Sequence, residues 1–377
     1  MPRSEVVRGM VYCAASQLAT GPLRRIDRGT TMRVLITGGT GFVGYHSARA
    51  LLDAGHEVKL LVRSADKMRG LYGARALDHV VGDVTDEAAV ERALEGCDAV
   101  IHSAAMVSTN ARDAGRVYET NVQGTRLVVG GAARLGLRTV HVSSVTALYD
   151  PRADALDEHA PLGTAESAYG RSKLASEHFV RELQEQGAPV YITHPAGIIG
   201  PDSPTLTEPH QGLVIYLGRV IPISVSGTQF VDVRDVALAH RLLLESDAAP
   251  GRYPLGGHYI EWRDLVRRIE QLTGLNKLTY PIPAPLLRLI GRLADLLRHA
   301  ITIEAPVSHE GSVYATDWKI LDNAKLERTL DFRFRDLDTT LADSLRWLAR
   351  AGHVEPGRLG RLIPAPVAAD GASLSES

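Results

Sequence analysis

Short apolar blocks alternate with longer amphipathic stretches through the first two hundred residues of the chain. Residues 34–36, Val-Leu-Ile, are too short a run for a helix and predict a strand buried on both faces. Comparable blocks at 58–62, 80–81, 99–102, 139–143 and 190–193 predict five more strands. Helical periodicity fills the gaps, notably over 42–54, 86–94, 113–135 and 167–186. Gly55, Gly96, Gly136 and Gly187 each come just after one of these helices, where a left-handed C-terminal cap favours glycine. Strand and helix in alternation, joined by short connections, predict an α/β fold with a doubly wound parallel sheet.

The regular alternation ends at Gly200. Pro201, Pro204, Pro209 and Pro222 punctuate an irregular stretch beyond it, and 281–285 reads Pro-Ile-Pro-Ala-Pro. This predicts a core over 32–200, to which 225–256 return, and a smaller C-terminal substrate-binding lobe built from 201–224 and 257–350. The lobe is expected over the carboxyl edge of the sheet, where open α/β folds bind ligands. Within it, 286–301 reads as an amphipathic helix with Leu286, Leu287, Ile290, Leu293, Leu296 and Leu297 on one side, a packing face within the lobe or between two copies rather than a membrane anchor. Residues 1–31 hold five arginines and only a broken apolar stretch, which reads as a flexible arm or an extended start. From 357 to 377 the chain is rich in Ala, Gly, Pro and Ser and is expected to be disordered.

Composition narrows the function. Lys plus Arg number 42 against 44 for Asp plus Glu, so no overall charge favours nucleic acid or an anionic membrane. Two cysteines cannot build a disulfide framework, which points to a cytoplasmic protein, and no Cys/His cluster has metal-ligand spacing. No run of 18 apolar residues exists, so no transmembrane span is expected.

Candidate chemistry sits in three places. The first strand stops on Thr37-Gly38-x-x-Gly41-x-x-Gly44 and restarts as a helix, so the backbone can approach a pyrophosphate whose charge the helix N-terminus meets. Tyr169 and Lys173 lie one turn apart on one helical face, where an ammonium favours the phenolate and the pair could act as acid or base on a carbonyl or alcohol oxygen. Ser143 and Ser144 end the fifth strand at the same carboxyl edge, where a hydroxyl could hold the substrate oxygen or simply cap a turn.

Taken in order, these motifs resemble the extended short-chain dehydrogenase/reductase superfamily, of the NAD-dependent epimerase/dehydratase type. Gly82-Asp83-Val84, His102-Ser103-Ala104-Ala105, Asn121-Val122-Gln123-Gly124-Thr125, His194 to Pro201 and Phe230 to Ala237 are similar to further blocks of that family. The resemblance runs from about Met32 to Leu348, and in detail is to dihydroflavonol reductases and 3β-hydroxysteroid dehydrogenases. It implies a Rossmann core with Tyr169 as general acid/base, Lys173 lowering its pKa and holding the nicotinamide ribose, and Ser144 orienting the substrate oxygen. Ser143 is the fallback for Ser144, and Asn121 serves either a proton relay or the pinning of its helix. Val145 stands where sugar epimerases often carry a third hydroxyl or an acid. The cofactor is expected against Gly38, Thr40, Gly41, Phe42, Val43 and Gly44, with Asp83 and Val84 at the adenine. Ser103, Ala104, Ala105, Tyr169, Lys173, Pro195, Gly197 and Ile198 line the rest of its channel.

Charge then bears on the choice of cofactor. At the end of the second strand NAD enzymes usually present a carboxylate to the ribose hydroxyls; here Arg63, with Lys67 a turn later, offers donors to a 2′-phosphate. NADP(H) is expected over NAD(H). Three functions are compatible with these motifs: a reductase or dehydrogenase acting on a mainly apolar small molecule, a nucleotide-sugar epimerase or dehydratase with tightly held NAD, and a cofactor-sensing binding protein without turnover. Intact Ser144, Tyr169 and Lys173 argue against the third. Between Pro201 and Val233 only Arg219 is basic while Leu213, Val214, Ile215, Leu217, Val220, Ile221 and Ile223 dominate, which favours an apolar pocket over one for a diphosphate. A homodimer through helices 113–135 and 167–186 is expected.

Overall fold

The computed structural model describes residues 30–73, 75, 77–107, 113–297 and 308–363. The expected leader, apart from its last residues, and the tail beyond Ile363 lie outside them.

Seven strands form one sheet: β1 (Arg33–Thr37), β2 (Glu57–Val62), β3 (Asp78–Val81), β4 (Ala99–His102), β5 (Arg138–Val142), β7 (Val190–Pro195) and β11 (Gly251–Leu255). Their spatial order is β11-β7-β5-β4-β1-β2-β3, and every pairing is parallel. The chain first winds from β1 toward β3, then crosses to β4 and winds the other way, so a crevice opens between the carboxyl ends of β1 and β4. This is a Rossmann-like sheet flanked by helices.

The sheet needs cover on both faces because its strands are apolar throughout. On one face α1 (Phe42–Asp53) packs against α7 (Val233–Glu245), over a core of Val34, Ile36, Leu60, Ile101, Val140 and Tyr191. On the other, α3 (Glu87–Leu94), α4 (Ala114–Arg134) and α5 (Ala168–Glu185) bury Leu35, Val100, Val128, Val129, Val180 and Ile192. A short α2 (Ala65–Tyr72), absent from the sequence reading, links β2 to β3; Ser64 caps it by accepting from the Lys67 amide at 3.2 Å.

The remaining strands lie outside the main sheet. The two-residue strand β6 (Ala155–Leu156) pairs with β14 (Ile320–Leu321). The strands β8 (Gly197–Ile199), β10 (Gly227–Asp232) and β12 (His258–Glu261) form a three-stranded sheet, and β9 (Val220–Ile223) pairs with β13 (Leu278–Pro281). So 225–256 divides: β11 joins the main sheet and α7 its cover, while β10 belongs to the small sheet. The helices α6 (Glu208–Tyr216), α8 (Trp262–Thr273) and α12 (Leu337–Arg350) share a second apolar core with Leu213, Ile269, Leu341 and Leu345. The helix α11 (Ala324–Leu330) adds Leu326 to the core beneath α7.

Two expectations differ here. Residues Pro356–Leu362 form a 3₁₀ turn that buries Leu359 and Leu362 in the second core, so the disorder expected from 357 does not begin there. The amphipathic helix is α9 (Ala284–Leu297); residues 298–301 lie outside the described part. Its Gly291 side packs on α10 (His309–Thr316), where a Cβ would come within 2.6 Å of the Ser308 carbonyl. Leu286, Leu289, Ile290, Leu293, Leu296 and Leu297 face outward instead. None of the described helices is long and apolar enough to cross a membrane.

Candidate active site

The chemistry gathers at the carboxyl ends of β1, β4, β5 and β7. Gly38, the first residue past β1, sits at φ 74°, and a Cβ there would lie 2.7 Å from the Ala104 nitrogen. A Cβ on Gly44 would lie 2.6 Å from the Gly38 carbonyl carbon and closer still to its oxygen. These two contacts press the turn against the start of α1 and the end of β4. Ser103 Oγ donates to the Thr37 carbonyl at 2.7 Å and the Ala104 amide to Thr37 Oγ1 at 3.3 Å, so the β4 loop is stitched to the same turn. Gly41 differs: it caps α1 without a side chain, and a Cβ there would meet only the Gly38 oxygen, at 3.3 Å. The open space beside the first amides of α1 would admit a pyrophosphate, and the residues present fit a dinucleotide.

The other residues named for the cofactor distribute around that crevice. Phe42 is buried against His46 and His210, while Thr40 and Val43 are half-buried. Arg63 and Lys67 are exposed just beyond β2. Asp83 accepts from the Thr85 amide and hydroxyl at 3.0 and 2.8 Å, and Val84 fills the notch left by Gly124 of α4. Ala105 is exposed in the β4 loop. Pro195 ends β7, and Gly197 and Ile198 begin β8 beside it.

Across the crevice Ser167 caps α5, accepting from the Gly170 amide at 2.9 Å, and so starts the helix that carries Tyr169 and Lys173. Lys173 is buried; its Nζ donates to the Val142 carbonyl at 2.8 Å and lies 5.8 Å from the centre of the Tyr169 ring. Burial pushes the Tyr169 phenol up to about 12, with hydrogen bonding to Ser144 pulling it back and the carboxylates of Glu208 and Glu310 adding to the rise. Burial brings Lys173 down to about 8, against the opposing charge of Glu177. A phenol lowered by its lysine is therefore not what the protein alone supplies. With the ammonium engaged on Val142, Tyr169 stays protonated at neutral pH.

The two serines lie just past β5, which ends at Val142, and face opposite ways. Ser144 turns to Tyr169, and its Oγ shares a hydrogen bond with Thr146 Oγ1 at 2.6 Å. Thr146 escapes the sequence reading, which weighs Val145 instead; a serine with a threonine two residues on is the signal of a local hydroxyl turn. Ser143 points the other way and donates to Glu177 Oε2 at 2.5 Å. Asn121 accepts from the Met106 amide at 2.7 Å and donates to the Met106 carbonyl at 3.0 Å and to Ser172 Oγ at 2.8 Å. Its side chain ties the β4 loop to α5 beside Lys173. Among the described residues no cluster could hold a metal ion.

A profile of the NAD dependent epimerase/dehydratase family matches residues 34–256. The chain belongs to that family. It is 30% identical over 332 residues to a putative dihydroflavonol 4-reductase of Synechocystis sp., covering 85% of this chain and 95% of the relative. It is equally 30% identical over 330 residues to sterol demethylase protein B of Methylococcus capsulatus, covering 86% and 100%. Among solved structures, that of gox2253 superposes with a TM-score of 0.72 at 26% identity, covering 86% of this chain and all of that one. As a family member the protein is an NAD-dependent enzyme of the extended short-chain dehydrogenase/reductase type.

Proposed function

We propose that this enzyme moves hydride between NADP(H) and a carbonyl or secondary alcohol of a mainly apolar small molecule, with Tyr169 as the acid/base. The observation that carries the reading is the convergence of Ser144, Tyr169 and Lys173 at the sheet edge that also holds the open cradle at Gly41. The dinucleotide, when bound, supplies or accepts the hydride. Ser144 orients the substrate oxygen, and Tyr169 gives that oxygen its proton during reduction. A phenol held near 12 arrives at this step protonated. Lys173 holds the nicotinamide ribose, and its charge favours loss of the phenolic proton in the reverse direction.

The support for NADP(H) is the pair of exposed cations beyond β2, Arg63 and Lys67, where Asp66, the carboxylate between them in the sequence, is paired with Arg69. The support for a neutral, largely apolar substrate differs from the sequence reading. Leu213, Leu217, Ile221 and Ile223 are spent in the lobe cores, and Ile215 and Val220 face solvent. The charges that act on Tyr169 are acidic, from Glu208 and Glu310; Tyr314 beside it meets Tyr149 edge to face at 4.6 Å, and Arg288 is the cation near Tyr149. A diphosphate is repelled by such a mouth, whereas a flat ring system fits it, in keeping with relatives named for a dihydroflavonol and a sterol. The buried free thiol of Cys97 suits the reducing cytoplasm, and pairing of α4 and α5 across a twofold would make a homodimer.

NADPH oxidation followed against ketones and aldehydes of graded size tests the reading. Turnover is expected to favour polycyclic ketones. Conversion of a UDP- or dTDP-sugar without net oxidation of added cofactor would replace the reductase by an epimerase.

A further inference from the structure

Glu177 lies one turn beyond Lys173 on α5 and is fully buried. Its Oε1 accepts from Arg181 Nε at 2.9 Å and Nη2 at 2.5 Å and from His194 Nε2 at 2.9 Å, and its Oε2 accepts from Ser143 at 2.5 Å. Taking a carboxylate out of water is costly unless its oxygens are met, and here the partners come from α5, from β7 and from the residue just past β5. Ser143 immediately precedes Ser144, so the bond that anchors the one fixes where the next residue points.

We infer that Glu177 is a positioning residue for the reaction: through Ser143 it sets the segment just past β5 that carries Ser144, and by its charge it holds the Lys173 ammonium beside Tyr169. This rests on the roles assigned to Tyr169 and Lys173 above. The surroundings of Lys173 support it. From β4 comes His102, from β5 His141, stacked on His102 at 5.7 Å, and from its own helix Tyr169 and Glu177, the last with His194 of β7 and Arg181 against it. Burial first keeps both rings neutral; the Lys173 charge comes next for His102, and for His141 the His102 ring precedes it. Glu177 is the one anion of that set among the described residues, held ionised by His194, Arg181 and Ser143 against its burial.

The test uses NADPH binding, followed by nucleotide fluorescence, as a function of pH, with turnover of 9,10-phenanthrenequinone as a second readout. Wild-type affinity is expected to fall above pH 8 as Lys173 loses its proton. In Glu177→Gln that fall is expected about one pH unit lower, with affinity at about pH 6.5 within threefold of wild type. A fall at the wild-type pH overturns the inference. Lys173→Met should abolish the step altogether; if the step survives there, the assignment of Lys173 fails rather than the role of Glu177. Should Glu177→Gln not fold, Ser143→Ala decides: it keeps the charge, so the step stays in place while kcat for the quinone drops about tenfold at constant KM. Unchanged kcat in Ser143→Ala overturns the positioning of Ser144.

Discussion

Gly44→Ala and Gly41→Ala separate the two demands made on the glycine turn. At Gly44 the added methyl would sit 2.6 Å from the Gly38 carbonyl carbon and 2.7 Å from Ser103 Oγ, well inside the 3.4 Å at which ordinary contact begins. The obstacle is backbone, so relief requires moving the start of α1 away from β1 and breaking the register of the cradle. Overpacking of this kind costs about 1–3 kcal/mol, which in a chain this large lowers Tm by roughly 1–4 °C. At Gly41 the methyl meets only the Gly38 oxygen, at 3.3 Å, and φ there is −102°. The fold should tolerate it within about 0.5 kcal/mol, but the methyl fills the cradle, and NADPH affinity is expected to fall about thirtyfold, near 2 kcal/mol. Thermal melts and fluorescence titration with NADPH measure both quantities on both variants. Gly44→Ala should lose stability and affinity together, Gly41→Ala affinity alone. If Gly41→Ala binds NADPH as wild type does, the cradle is misassigned.

Other consequences can be checked with the same tools. His102, His240 and His210 are buried, and burial holds them at about 3, 3 and 4. Because these values lie below that of an unfolded histidine, their contribution to stability is complete above pH 6.5 and is lost as the pH falls toward 4, by up to about 1.4 kcal/mol per unit for each ring. Tm should be flat from pH 7 to 8 and drop steeply between 6.5 and 5; a flat Tm over the lower range would contradict this. Arg63→Ala should raise KM for NADPH about tenfold and leave that for NADH nearly unchanged, whereas a wild-type preference for NADH would remove the NADP(H) assignment. Arg335→Met takes the guanidinium from the buried Asp235 carboxylate, which accepts from Arg335 Nη1 at 2.6 Å and from its amide at 2.7 Å, and leaves only the amide. It should cost about 2 kcal/mol in denaturant unfolding with little effect on NADPH affinity.

Much of the core was legible because parallel strands buried on both faces must be apolar throughout, and because glycine punctuates their helices. The seventh strand was not: β11 reads Gly-Arg-Tyr-Pro-Leu, and Pro254 argues against a central strand. It is tolerated at the sheet edge, where one side of the strand has no partner. Outside the main sheet every strand but the six-residue β10 has only two to four residues and carries no period long enough to read, so the small sheets and the packing of Pro356–Leu362 emerge only from contacts distant in sequence. At the site, Tyr169, Lys173 and the serines stand out through spacing along one element. Glu177 and Thr146 do not. A charged residue on a helix reads as solvated until Ser143, 34 positions earlier, and His194, 17 later, are seen to close around it.

The central claim is that Tyr169 transfers the proton and does nothing essential for binding the dinucleotide. The most direct measurement is Tyr169→Phe, which removes one oxygen and leaves the ring, assayed for NADPH affinity by fluorescence and for turnover with a ketone reduced by the wild type. Affinity within about threefold of wild type and turnover reduced at least about a hundredfold are expected. Turnover that survives the substitution would contradict the claim.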